Sequence, residues 1–240
     1  MTRTRLTLAF ALMSAPMWGA SGSRNVVEIA NTQTVPFQAG GTIHMNHSYG
    51  ELSVEGWDRP EVEVTVIKSP DDVYAAKDKG EAAKHVENVK VSVDRKSDSD
   101  LEISTAVSHF SRWTHPFGPT GGVNMQYRIH VPRNSKLVIH HDHGEVLVTQ
   151  VVGDIEATGA RGDIVLVLSE AEKYSIDAKT KVGTLSCDFE GDFAHGWFSR
   201  RYSQTAPAPA HRIFVREGTG GIEIKGSPAE AQPATVPSLQ

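Results

Sequence analysis

A short cassette recurs along this chain: a glycine, then an acidic or small residue, then alternating apolar positions. Glycine reaches backbone angles that other residues resist, and alternation with a period of two is typical of a half-buried strand. Short strands at near-constant spacing have to stack, because one such unit cannot bury its own apolar face. The pattern therefore predicts a mainly β fold, a β-solenoid or β-helix-like stack. The copies begin at Gly50, Gly144, Gly153, Gly162 and Gly183, with a weaker copy at Gly221.

Three segments follow from the pattern along the chain. Residues 1–22 combine a basic start, a short apolar stretch and small residues, which is typical of a signal peptide and too short for a membrane span. Residues 24–226 hold the cassettes, and alanines among charges predict one short helix over 71–85. The tail 227–240 is rich in proline and alanine, so we expect it to be disordered. The chain is predicted to be exported, to the periplasm or to the cell surface.

Charge and cysteine content limit the partners and the means of stabilisation. The formal net charge of −5 argues against a nucleic-acid partner, which requires a basic face. One cysteine, Cys187, cannot form an internal disulfide. It alternates with Leu185 and Phe189, so it is interpreted as a small buried hydrophobe. Oligomeric state does not follow from the composition.

Two motifs and the cassettes after them carry a resemblance to a known family. GWDRP at 56–60 and YRIHVP at 127–132, followed by the glycine-led cassettes, resemble the bacterial putative-adhesin family. The resemblance covers about residues 35–225. It implies a β-solenoid-like body in an exported or envelope-associated protein, in a family whose members are mostly of unknown function. It implies no residue-level activity, because the adhesin name rests on fold analogy.

Histidines near two cassette glycines form a candidate metal site. His47 lies three residues before Gly50, and His141 lies three residues before Gly144, which is the same register in two cassettes. Because neighbouring strands lie about 4.8 Å apart, stacking in phase would bring these imidazoles together. His143 is expected to share a strand face with His141, and neutral imidazoles suit zinc or copper. The alternative is a solvated, pH-sensitive row of turns.

Acidic residues recur directly after four of the glycines. A row of like charges repels unless a cation bridges it, so calcium is one interpretation, although the Gly-Gly-x-Gly-x-Asp spacing of calcium-binding β-rolls is absent. A solvated row is the other interpretation. Paired carboxylates beside an aromatic ring can also hydrolyse glycosides, but no Gly-x-Ser-x-Gly motif or other catalytic pattern is present. The residues concerned are Glu51, Glu145, Asp154 and Asp163. Asp154 and Asp163 could form a carboxylate pair beside Trp113 or Trp197, but the sequence gives no reason to prefer them over other acids, and no catalytic residue is assigned.

Two aromatic segments, 109–117 and 195–202, interrupt the strand pattern. We favour the interpretation that they cover open ends of the sheet. If exposed, their rings would instead stack on sugars, and their arginines would bind anionic groups. Strand 164–168 is apolar on both faces, so a late loop or a partner chain is expected to cover it. The candidate ligand-binding residues are Trp113, Phe117, Trp197, Arg200, Arg201 and Tyr202.

Taken together, the sequence predicts an exported, non-enzymatic envelope or cell-surface module, an adhesin or scaffold that binds a protein or a glycan. One alternative is a periplasmic metal-binding protein that uses the histidine cluster. A second alternative is a carbohydrate-active β-helix enzyme.

Overall fold

The described part of the chain is built from β-strands, which confirms the mainly β prediction. A computed structural model describes residues 29–47, 49–70, 89–107 and 123–228. The strands are β1 (Ile29–Pro36), β2 (Thr42–His47), β3 (Glu51–Trp57), β4 (Glu61–Pro70), β5 (Val89–Ser97), β6 (Asp100–Val107), β7 (Val123–Pro132), β8 (Lys136–Thr149), β9 (Ile155–Ser169), β10 (Tyr174–Val182), β11 (Leu185–Cys187), β12 (Asp192–His195), β13 (Arg200–Thr205), β14 (His211–Thr219) and β15 (Ile222–Ser227).

Several predicted segments lie outside the described residues and stay predictions. They are the signal peptide, the helix over 71–85, the aromatic segment 109–117 and the tail from 229 onward. The first tail residue, Ser227, is the last residue of β15, where it pairs with Ser169. No helix in the described ranges is long and apolar enough to cross a membrane.

Parallel pairing arranges the centre of the sheet in five layers. A layer is either one long strand with two halves or two consecutive shorter strands, each of which pairs with one half of a neighbouring layer. The long strands β8 and β9 pair from Leu137 and Ile155 at one end to Thr149 and Val167 at the other. Strands β2 and β3 pair with the first and second halves of β8. Strands β14 and β15 pair with the two halves of β9, and β10 and β11 pair with β14 and β15. The layers therefore follow the order β2–β3, β8, β9, β14–β15 and β10–β11.

A glycine with positive φ separates the two halves of each layer, and we call this set the glycine column. The φ angles are 114° at Gly50, 124° at Gly144, 146° at Gly162, 145° at Gly220 and 146° at Gly183. A Cβ atom on Gly162 would overlap the carbonyl oxygen of Gly144, and one on Gly220 would overlap that of Gly162. Glycine is needed here for both reasons, because the φ angle disfavours any side chain and the neighbouring backbone leaves no space for one.

Two of the predicted cassettes do not belong to this column. Gly153 precedes the first half of β9, and the space for its Cβ is taken by the carbonyl oxygen of Ser135. In the last copy the column glycine is Gly220, which has a positive φ, and the predicted Gly221 is the next residue in the chain. The spacing of nine residues from Gly144 to Gly153 is thus half of one layer, and 18 residues separate the column glycines of β8 and β9.

The side chains that alternate inward from both halves form one hydrophobic core. In β8, Leu137 and Ile139 come from the first half, and Val146 and Val148 come from the second. Burial of this apolar surface is the main force that holds the layers together. Cys187 is partly buried against the core, in agreement with its prediction as a small hydrophobe, and burial raises the pKa of its thiol.

Further strands extend the sheet beyond the two outer layers. At the β2–β3 end, β6 and β5 extend the first half, and β7, β4 and β1 extend the second half. At the β10–β11 end, β13 and β12 continue from β10 in antiparallel pairing. Within the described residues β12 pairs only with β13, so the β12–β13 hairpin lies at one edge of the sheet.

Candidate functional site

The β12–β13 hairpin presents two large aromatic side chains to solvent. Trp197 is 93% exposed and Phe198 is 71% exposed. Their ring centroids lie 6.2 Å apart, and the turn is closed by a hydrogen bond of 2.8 Å from Gly196 N to Ser199 O. The favoured interpretation of 195–202 as a cover is therefore wrong for these two rings, because a covering ring would lose its own solvent exposure.

The arginines after the turn are fixed by contacts within the protein. Arg200 donates from Nε to the carbonyl oxygen of Gly183 at 3.0 Å. Arg201 pairs with Asp177 at 3.2 Å, and Arg216 pairs with the same carboxylate at 2.7 Å. Burial alone would raise the pKa of Asp177, but the bonds from both guanidinium groups lower it.

Exposed basic and apolar groups surround the turn. Lys179 lies opposite Arg201 on one side and Arg216 on the other, so it stands in one row with the two arginines that pair with Asp177. At the end of β10, Val182 is 50% exposed, next to the glycine that Arg200 contacts. We call Val182, Trp197, Phe198 and Arg200 the hairpin tip.

Tyr202, predicted as a ligand-binding residue, is instead fully buried. Its hydroxyl donates to the carbonyl oxygen of Phe189 at 2.9 Å, and its ring lies 4.9 Å from that of Phe193. Burial raises the pKa of this hydroxyl well above its usual range. Tyr202 therefore anchors the hairpin to the core and cannot contact a ligand. Trp113 and Phe117 lie outside the described residues.

The predicted meeting of two histidines is present inside the core. His47 stands opposite His141 in parallel register, and each is 4% exposed. Their ring centroids are 6.4 Å apart at an interplanar angle of 62°, and the ring of His47 lies 4.4 Å from that of Tyr127. Burial, with a smaller contribution from His141, lowers the pKa of His47 to about 3. Burial also lowers the pKa of His141, so both rings are neutral at pH 7.

Within the described part of the chain neither ring nitrogen of His47 forms a hydrogen bond, and those of His141 form none of good geometry, although a contact with the backbone of Gly144 partly offsets the lowering of the His141 pKa. The same row continues through Gly159, Glu217 and Thr180 on the next three layers. We call it the polar row; each member precedes a column glycine by three residues. Glu217 and Thr180 were not identified from the sequence, although the same spacing before Gly220 and Gly183 marks them.

His143 does not share the buried face of His141, contrary to the sequence-based expectation. It is exposed, as is Asp142, whereas His141 is buried, so the alternation of side chains ends just before the corner at Gly144. Within residues 29–47, 49–70, 89–107 and 123–228, no group of three or more His, Cys, Asp or Glu side chains is arranged to hold a metal ion.

Three of the four predicted acids align after the column glycines. Glu145 stands opposite Asp163, and Glu51 occupies the equivalent position in β3, next to the pair Leu52–Val146. All three are exposed, and the carboxylate of Asp163 accepts a hydrogen bond of 2.6 Å from Gly221 N.

Asp154 lies apart from this row, because it follows Gly153 rather than a column glycine. Its carboxylate accepts a hydrogen bond of 2.9 Å from Arg212 N. Asp154 and Asp163 are thus both bonded to backbone N–H groups.

The outer face of strand 164–168 is partly covered by its neighbours in the sheet. Val165 lies opposite Leu147 of β8 and Glu223 of β15, and both Val165 and Val167 are half-buried. Leu147 remains 38% exposed.

Comparison with known proteins finds solved structures that are distant from this chain in both sequence and structure. No protein-family model and no curated protein matches this chain. A putative cell adhesion protein from Clostridium sporogenes is 10% identical with a TM-score of 0.49, over 83% of this chain and 100% of that one. A putative adhesin from Parabacteroides distasonis is 13% identical with a TM-score of 0.32, over 85% and 68%. A putative lipid binding protein from Parabacteroides distasonis is 9% identical with a TM-score of 0.23, over 85% and 97%. The names of the first two agree with the resemblance to the putative-adhesin family.

Proposed function

We propose that this chain is an exported, non-enzymatic module of the cell envelope or cell surface that binds a protein or a glycan at its hairpin tip. The exposure of Trp197 and Phe198, at 93% and 71%, is the observation that carries the proposal. Tryptophan and arginine are enriched where partners bind, because they offer a large apolar area and directed hydrogen bonds. The hairpin tip combines both residue types.

The base of the hairpin makes the tip suitable for binding. Tyr202 anchors β13 to the core through its bond to Phe189, and Asp177 holds Arg201 beside Arg216. Side chains on a fixed support lose less conformational entropy when a partner binds. The backbone that carries the two rings is therefore held in place, and Arg200 is fixed by its own bond to Gly183.

The rest of the fold suits a scaffold. We interpret the five layers as coils of a short β-solenoid, supported by their parallel registers and by the glycine column. In this interpretation the stack is a rigid body, and residues 1–22 direct its export. Asp154 follows Gly153 and bonds to Arg212 N, whereas Asp163 follows a column glycine and bonds to Gly221 N, so the two acids lie at the starts of different halves of the β9 layer, which favours a non-enzymatic role.

Photo-crosslinking in intact cells tests this proposal. A photoreactive phenylalanine analogue replaces Phe198 in one strain and, as a control, replaces exposed Lys136 on β8 in another. After irradiation the adducts are purified and identified by mass spectrometry. We expect one reproducible protein or glycan adduct from position 198 that is absent from position 136 and lost when Trp197→Ala is added. Equal adducts from both positions, or none from position 198, would refute binding at the tip.

A further inference from the structure

We propose that His47 and His141 bind one monovalent copper ion between their rings, inside the core. The two side chains face inward from adjacent strands, at 4% exposure each. In the described structure both ring nitrogens of His47 lack a hydrogen-bond partner, and those of His141 have no bond of good geometry and only a contact with the backbone of Gly144. Buried polar atoms are almost always paired, so unpaired nitrogens on two neighbouring buried rings point to a ligand that the rings share.

The separation of the rings fits one ion between them. A metal ion lies about 2 Å from an imidazole nitrogen, so two imidazoles on opposite sides of one ion have centroids about 6 Å apart. His47 and His141 have centroids 6.4 Å apart. A linear arrangement leaves each ring free to rotate about the line through the ion, so the interplanar angle of 62° is compatible with it.

The number of donors selects the ion. Zinc takes four ligands in structural sites and at least three protein ligands in catalytic sites, and the described residues supply no third His, Cys, Asp or Glu. Monovalent copper has a filled d shell and accepts two nitrogen donors in line, and imidazole is a common copper ligand. Burial favours the neutral imidazoles that metal binding requires.

The polar row also holds a charge that offsets the ion. A cation in an apolar core is costly unless a negative group accompanies it. Glu217 is 3% exposed, and its Oε2 occupies the space where a Cβ of Gly159 would lie. Gly159 is the residue opposite His141. The missing side chain at Gly159 thus lets a buried carboxylate lean toward the histidine pair.

Anaerobic titration with copper(I) tests the proposal on the whole chain. A coloured copper(I) chelator, bicinchoninate, competes for the ion, and the melting temperature is measured in parallel with copper(I) and with zinc(II). We expect one copper(I) per chain and a higher melting temperature with copper(I) but not with zinc(II). X-ray absorption of the loaded protein should show two nitrogen neighbours.

Matched variants separate this site from exposed histidines. His47→Phe and His141→Phe keep a ring in the core and remove the unpaired nitrogens, so both variants should fold and both should lose copper(I) binding. His143→Ala, at an exposed position, should keep it. Glu217→Gln should weaken the affinity by about tenfold or more, because it removes a charge that is poorly screened in the core.

Three results would overturn the proposal. The first is failure of the protein to compete with the chelator. The second is equal copper binding by the two phenylalanine variants, which would place the ion elsewhere. The third is zinc(II) binding as tight as copper(I) binding, which would require further ligands. None of these results bears on the hairpin tip, which is on another part of the fold.

Discussion

Replacing Gly162 by alanine should be among the most damaging small changes in this protein. The residue combines a φ of 146° with a position where a Cβ would overlap the carbonyl oxygen of Gly144. A side chain in this backbone region costs about 1–3 kcal/mol. Moving a packed layer to relieve the overlap costs about 1–3 kcal/mol more. We therefore expect Gly162→Ala to lower the free energy of unfolding by about 2–6 kcal/mol, a large part of the usual 5–15 kcal/mol.

Urea unfolding followed by circular dichroism measures this loss, with the slope of the transition compared between variants. Gly40→Ala is the matched control, because Gly40 also has a positive φ of 84° but has nothing within 4 Å of the Cβ position. It should show only the backbone term, about 1–3 kcal/mol. The difference between the two variants isolates the contact between layers. If Gly162→Ala costs no more than Gly40→Ala, close stacking of the glycine column is refuted.

Other predictions concern the hairpin and the polar row. Trp197→Ala should abolish partner capture in cells while changing the free energy of unfolding by less than about 0.5 kcal/mol; a large loss of stability would mean that the ring is structural. Tyr202→Phe should cost about 0.5–1.5 kcal/mol in urea unfolding, because it leaves the carbonyl oxygen of Phe189 without its donor. Glu217→Gln should stabilise the metal-free protein at pH 7, because burial raises the pKa of Glu217 and its ionised form is therefore penalised in the folded state. That gain should fade as the pH falls to the ordinary carboxyl pKa, where both states are protonated; a gain independent of pH would show that charge is not its cause.

The register of the core could be predicted from the sequence, because parallel pairing preserves distance along the chain. A histidine three residues before one column glycine must face a histidine three residues before the next, and His47 does face His141. The same rule explains why Glu145 meets Asp163. It fails for Gly153, because a glycine-led strand can begin either half of a layer.

The orientation of side chains near corners could not be predicted. Alternation assigns His141 and His143 to one face, but the alternation ends just before the corner at Gly144, and both Asp142 and His143 are exposed. Likewise, the segment 195–202 contains a turn that leaves Trp197 in solvent and returns Tyr202 to the core. The sequence pattern does not show where this turn lies, because aromatic residues stand on both sides of it.

The order of the layers could not be predicted from the sequence either. Cassette spacing indicates that strands stack, but not which strand lies beside which. Strands β14 and β15 follow β10 and β11 in the chain, yet they lie between β9 and the layer β10–β11.

This placement of β14–β15 has a consequence for how the molecule can be assembled. A chain made from its N terminus completes β9 and β10 long before residues 211–227 exist, yet in the described sheet β14 lies between β9 and β10. Until the last strands arrive, the edge of β9 that pairs with β14 and β15 stays open. Folding therefore depends on contacts distant in sequence, which form slowly. The central sheet is therefore joined into one piece only when residues 211–227 have paired with both β9 and the β10–β11 layer.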